Sequence, residues 1–181
     1  SIYRSLHTRG GARAAVVLPD NVLFEDGDGQ KVRTDLMNKC NLHTILRLPT
    51  GIFYAAGVKT NVLFFDRGKS DKQNTQSVWF YDMRTNMPKF GKRTPFTESY
   101  FADFEKAYTS KDRNKIKDER FSCIPRATIA KKNDSLDLGL IADDSITKAE
   151  DIGEPIDIAK EALTELTSIT KELNAIIKAL N

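Results

Sequence analysis

Cysteine is nearly absent from this sequence. The two that occur, Cys40 and Cys123, lie far apart with no CxxC or histidine-spaced companion. That argues against a disulfide framework or a cysteine-based zinc site, and a reducing, cytoplasmic compartment fits best. Long apolar runs are missing as well. No stretch approaches the roughly 18 residues needed to span a bilayer, so no membrane partner is expected. The front of the chain carries no secretory signal pattern and no initiator methionine. Ser1 to Leu6 reads as the tail of a helix and runs at once into Gly10-Gly11 and an apolar strand. The chain is therefore expected to begin partway through a larger protein. The acidic loop Glu25-Asp26-Gly27-Asp28-Gly29 lacks the regular ligand spacing and closing glutamate of a calcium loop.

What is present describes a globular protein with a real core: 181 residues, 40% hydrophobic and 29% charged. The net charge of +3 is modest, but it is unevenly spread. Residues 135–181 carry ten acidic and four basic side chains, so residues 1–134 hold a net charge of +9. A basic body suits a polyanion such as nucleic acid, although a merely soluble surface has the same composition.

Ala12 to Leu18 is an apolar run of strand length, and its unbroken apolarity predicts a strand buried on both faces of a parallel sheet. Pro19 turns the chain at the strand's carboxyl end, where open α/β sheets carry ligands. Pro19 to Phe24 therefore either borders a site or is an ordinary turn. A helix is predicted from about Gln30 to Lys39, and strands at Leu42 to Leu48, Asn61 to Asp66 and Ser77 to Asp82. His43, inside a strand without partner spacing, reads as structural. Met83 to Pro95 is a basic, proline-interrupted loop with Lys89, Lys92 and Arg93, read as solvated or as touching phosphate. Thr97 looks like the N-cap of a helix reaching Tyr108. After a charged stretch from Ser110 to Arg120, Phe121 to Ile124 is apolar and Pro125 opens a short helix to Lys132. In the last segment Ala159, Leu163, Leu166, Thr170, Leu173, Ile177 and Leu180 form a heptad seam. This helix is expected to pair with a helix of another subunit; the alternative is packing back on its own domain.

The stretch from Leu48 to Asp66 organises the rest. A strand leads into it, another leads out, and between them lies an aromatic, glycine-punctuated loop that ends in Lys59-Thr60-Asn61. Such a loop can stack a planar ring and hold a polar backbone. Equally, Phe53 and Tyr54 could cap the core and Lys59, Thr60 and Asn61 form a solvated turn.

Four blocks in order carry a resemblance. They are Gly10-Gly11-Ala12-Arg13-Ala14-Ala15-Val16-Val17-Leu18-Pro19, Val32-Arg33-Thr34-Asp35-Leu36, Leu48-Pro49-Thr50-Gly51-Ile52-Phe53 and Gly57-Val58-Lys59-Thr60-Asn61-Val62-Leu63-Phe64-Phe65. The chain resembles the second half of the modification (methyltransferase) subunit of type I restriction-modification systems. These are adenine-specific DNA methyltransferases that use S-adenosylmethionine. The resemblance implies an α/β fold: the C-terminal part of a Rossmann-like S-adenosylmethionine-dependent methyltransferase sheet, followed by a helical C-terminal extension. The strand entering Asp66 should lie antiparallel between its neighbours. The implied organisation is catalytic-domain half (1–109), charged connecting region (110–153) and subunit-contacting helix (154–181).

The same resemblance implies that Phe53, or second Tyr54, stacks on a target base turned out of the duplex. Lys59, Thr60 and Asn61 would border the site or contact the DNA backbone. The terminal helix would meet the specificity subunit, with a restriction subunit in the full complex. The family's Gly-rich donor loop and Asn-Pro-Pro-Phe/Tyr motif are not in these residues. The fragment alone is therefore expected not to bind S-adenosylmethionine and not to methylate DNA. The competing reading is a non-enzymatic nucleic-acid-binding and subunit-interaction module. An Asn-Pro-Pro-aromatic motif upstream of Ser1 in the parent gene would favour the enzyme.

Overall fold

In the computed structural model the described residues are 6, 11–53, 58–85, 87–88, 90–91, 93–137 and 139. The chain divides into two units, Ser1–Ala142 and Asp143–Asn181. The second unit, with the predicted heptad helix, lies outside the described residues, as does the helix-like start.

The first unit is a five-stranded sheet in the order β1-β3-β2-β4-β5. The strands are β1 (Arg13–Pro19), β2 (Cys40–Arg47), β3 (Thr60–Arg67), β4 (Ser77–Asp82) and β5 (Phe121–Pro125). β3 is antiparallel to both β1 and β2 and lies between them, as expected for the strand entering Asp66. β2 and β4 are parallel, and β5 closes the far side antiparallel to β4. β1, β2 and β4 consequently run the same way and end at one rim, beside the start of β3.

Alternation along the strands builds two cores. Leu63, Phe65, Val78 and Phe80 point to one face, where α1 (Asp28–Lys39) contributes Met37 and α3 (Arg126–Lys131) contributes Ile129. Val62, Phe64, Trp79 and Tyr81 point to the other face, covered by Phe104 and Ala107 of α2 (Ala102–Thr109). α1 forms because Arg33 and Met37, four apart, share its buried stripe, with Asp28 and Lys39 placed to suit the helix dipole. A bulge between Leu42 and Thr44 re-aims His43, whose ring centroid lies 5.9 Å from that of Tyr108. The imidazole is thus packed as a structural group, and burial lowers its pKa.

Three expectations change. β1 is not buried on both faces: its residues alternate exposed and half-buried, Val17 is 52% exposed, and its one partner among the described residues is antiparallel β3. An apolar run records that something covers a strand, not which segment does. The sheet also continues past residue 109. β5 pairs with β4 through Trp79 and Cys123, and the Trp79 and Phe121 rings stack at 4.6 Å. Finally, Thr97 stands at the N-cap of a 3-10 turn, Glu98–Phe101, that runs directly into α2, but its hydroxyl makes no capping bond and meets that of Ser99 at 2.8 Å.

Candidate nucleic-acid site at the sheet rim

At the rim four segments converge: the end of β1 (Pro19, Asp20), the end of β2 (Arg47, Leu48), the start of β3 (Thr60, Asn61) and the residues after β4 (Asp82, Arg84). Crevices beyond the carboxyl ends of parallel strands are the usual ligand position in open α/β sheets. Backbone bonds stitch this one together. Leu48 N–H donates to the Thr60 carbonyl at 3.0 Å and Asp20 N–H to the Lys59 carbonyl at 2.9 Å. A polar network lies over them. Arg47 pairs with Asp82 at 2.9 Å, Arg84 with Asp20 at 2.8 Å, and Asn61 Nδ2 donates to Asp20 Oδ1 at 2.8 Å. Burial pushes the Asp20 carboxyl up, but hydrogen bonds from Arg84 and Asn61, with the charges of Arg84 and Arg47, outweigh it and leave the pKa lowered.

Beside this network opens a cleft of ≈ 780 Å³ with a largely apolar lining that includes Val17, Leu48, Ile52, Phe53, Phe96 and Phe101. Its far wall is an aromatic cluster. Phe96 stacks with Tyr100 at 5.5 Å and meets the edges of Phe90 and Phe101 at 4.9 and 5.0 Å. The near wall is the 48–53 segment. Gly51 has φ +86°, and a Cβ there would run into the Phe90 carbonyl oxygen, so only glycine allows this approach.

The sequence-predicted residues separate in space. Phe53 is 45% exposed on the cleft. Tyr54 lies outside the described residues, as do Lys89 and Lys92. Lys59 is exposed at the loop's exit. Thr60 is buried at 8% exposure, and Asn61 at 0% with its amide on Asp20. Asn61 has no face to offer a DNA backbone. Strand alternation turns it inward, and its part is to brace the rim. Sequence reasoning missed Arg84, Asp20 as its partner, and the close approach at Gly51. The signals were the charged residues just past two strand ends.

A second cleft, of ≈ 920 Å³, lies along α2 and residues 115–120. Its charged lining is largely satisfied internally, since Arg120 pairs with Asp118 at 2.8 Å and with Asp103 at 3.0 Å. It offers no flat apolar wall. Among the described residues no cluster of three His, Cys, Asp or Glu side chains could hold a metal, and no helix is long and apolar enough to cross a membrane.

Comparison with known proteins gives the family to which this chain belongs. The model of the family described as N-6 DNA Methylase matches residues 2–148. The chain belongs to the N-6 DNA methylase family. It is 44% identical to the EcoKI type I restriction enzyme methylase subunit of Escherichia coli K12, over 99% of this chain and 40% of that protein. It is 45% identical to the StySJI methylase subunit of Salmonella typhimurium, with the same coverage. The crystal structure of the EcoKI M protein superposes with a TM-score of 0.66 at 44% identity, covering 99% of this chain and 43% of that one. A second structure, described as concerning complex assembly and conformational transition of the type I R-M system, gives a TM-score of 0.68 at 27% identity over 99% and 38%. The resemblance to type I modification subunits read from the sequence is borne out. The chain spans 40% of the length of these curated relatives.

N-6 DNA methylases use S-adenosylmethionine as methyl donor. Holding its ribose and amino-acid end takes an unengaged carboxylate and a backbone cradle. At this rim Asp20 and Asp82 are already committed to Arg84 and Arg47, and the described space at Gly51 is filled by Phe90. These rim residues alone do not supply that carboxylate or cradle.

Proposed function

We propose that this chain is the base-gripping portion of a type I DNA methyltransferase subunit. In the full-length protein the reaction is transfer of a methyl group from S-adenosylmethionine to the exocyclic amino group of adenine in DNA. One observation carries the reading: in a member of the N-6 DNA methylase family, Phe53 stands 45% exposed on an aromatic-walled cleft just beyond the sheet rim. A planar base laid on that exposed phenyl face removes apolar surface from water on both partners.

An adenine inside a duplex is out of reach, so it must leave the stack. The aromatic face of Phe53 replaces part of the lost stacking, worth about 1–3 kcal/mol per base. The apolar walls keep water from the base, and Lys59 at the loop exit faces the phosphate backbone. The donor-binding groups and the residues that hold the adenine amino group belong to the rest of the full-length chain, so these 181 residues alone are inactive. The edge of β1 that carries no partner among the described residues is where the remaining strands of a Rossmann-like sheet add on. Residues 154–181 lie outside the described residues; their part in this proposal is to contact the specificity subunit, with the restriction subunit joining that complex.

The test is Phe53→Ala in the full-length subunit assembled with its specificity subunit. Methylation of a cognate duplex should fall about 10-fold or more, from the stacking energy above, while S-adenosylmethionine binding stays within twofold. Unchanged turnover removes Phe53 from the site.

A further inference from the structure

We propose that Arg84 is a positioning residue that fixes both stems of the Phe53 loop and so sets where the aromatic face points. This deepens the proposed function and rests on Phe53 gripping the base. The guanidinium sits past the end of β4 and is 15% exposed. Its Nε donates to the Leu48 carbonyl at 3.2 Å, where the chain leaves β2 for the loop. One terminal nitrogen donates to the Thr60 carbonyl at 3.3 Å, where the loop re-enters β3, and to Asn61 Oδ1 at 3.3 Å. The same nitrogen meets Asp20 Oδ1 at 2.8 Å. A single planar fork thus touches the loop's entry, its exit and the segment after β1. Arg84's own backbone N–H is held by Asp82 Oδ1 at 2.9 Å, and Asp82 is in turn held by Arg47.

This arrangement is richer than stability requires. Leu48 and Thr60 are already joined by a backbone bond, and so are Asp20 and Lys59. What Arg84 adds is one side chain that spans all three segments, which otherwise meet in pairs through the ends of the β1–β3 and β2–β3 ladders and the Asn61–Asp20 bond. Between the stems the chain has to present a half-exposed aromatic ring. Ordering such a loop costs about 1–2 kcal/mol per residue, and a misplacement of about 1 Å at a reacting centre can cost on the order of 100-fold in rate. Lysine cannot replace the fork, because one ammonium cannot serve carbonyls on two stems in a plane.

The test is a double-mutant cycle in the full-length subunit with its specificity subunit: Phe53→Ala, Arg84→Ala and the pair. Each single change should lower kcat about 10-fold, with KM for DNA and donor binding within twofold. The double variant should be no worse than the poorer single, since Arg84 acts through Phe53. If the two losses multiply, or if Arg84→Ala is fully active while Phe53→Ala is not, the clamp is overturned and the Phe53 reading stands. If Phe53→Ala is fully active, the underlying reading falls, and the clamp with it. Should Arg84→Ala fail to fold, Arg84→Lys carries the test. It should lower kcat and speed hydrogen exchange at the Leu48 and Asp20 amides. Wild-type kcat and wild-type exchange in Arg84→Lys would overturn the clamp.

Discussion

Two arginines in this protein use the same device to different ends. Arg33, on α1, donates to the carbonyls of Asp134 at 2.8 Å, Val22 at 3.0 Å and Glu25 at 2.7 Å. Arg84 also binds carbonyls and oxygens of separate segments. Arg33 is 3% exposed, in a region where Asp134 is also taken by Arg126 at 2.6 Å and by Thr34. Arg84 lies by a rim that opens onto an apolar cleft. A cross-brace sealed inside a fold makes the fold; the same cross-brace beside an opening makes a site. Burial of the surroundings, more than the number of bonds, separates the two.

The largest effect expected is on stability, from Arg33→Ala. The Asp134 carbonyl loses its partner in a buried place, at about 1–3 kcal/mol, while those of Val22 and Glu25 are part-buried and lose less. Chemical denaturation should show a loss of at least about 2 kcal/mol. The contrast breaks if Arg84→Ala, whose partners keep backbone bonds and border open space, destabilises by as much.

Gly51→Ala should come next. The positive φ and the collision with the Phe90 carbonyl strain the near wall by about 1–3 kcal/mol. Because the displaced segment carries Phe53, methylation by the full-length subunit should fall at least as far as in Phe53→Ala. An active Gly51→Ala protein would show that the wall tolerates movement and would weaken the case for a fixed grip.

A smaller effect concerns acid stability away from the rim. Hydrogen bonds from the Arg120 side chain, above all, hold Asp118 down at about 2 against the upward push of burial, with Tyr81 also donating to it at 2.9 Å. The folded value lies below the unfolded carboxylate value of about 3.9. The unfolded chain therefore takes up protons first as pH falls. The stabilisation is full above about pH 4 and is lost on the way down to about pH 2. Denaturation midpoints of Asp118→Asn should fall less steeply than wild type across that window. The rim gives the comparison: Asp20 is likewise lowered, so Asp20→Asn should flatten the acid limb too.

The smallest effect is expected at Lys59. Lys59→Gln should weaken DNA binding by the full-length assembly about equally for all sequences and reduce the salt dependence by about one phosphate contact. An unchanged salt slope would take Lys59 off the backbone.

How much of this was legible beforehand follows from how far apart the partners are. β3 could be read because Val62 to Phe65 is an unbroken apolar run of strand-favouring side chains, and its antiparallel placement followed from the family resemblance. α1 and α3 were found within a few residues by periodicity and by Pro125. β5 was visible as an apolar stretch, but its membership in the sheet depends on pairing Ser77 with Pro125, which no local pattern encodes. Phe53 was singled out from its loop, yet its exposure depends on where Phe90 and Phe96 fold. Arg84 was passed over: its place just past a strand end was a signal, but it reads as one basic residue in a basic loop, and its partner Asp20 lies 64 positions away. Asn61 was read as the first residue of the strand, but no local pattern showed that its side chain turns inward onto Asp20.

The 48–59 loop leaves and re-enters the sheet through adjoining antiparallel strands, tied by Leu48 and Thr60. Residues added between positions 53 and 58 would therefore lengthen a hairpin without shifting any strand, and the entropy of closing a longer hairpin grows only slowly. On the proposed reading, the fingertip could be refitted to a bulkier or modified nucleobase while the knuckles stay as they are.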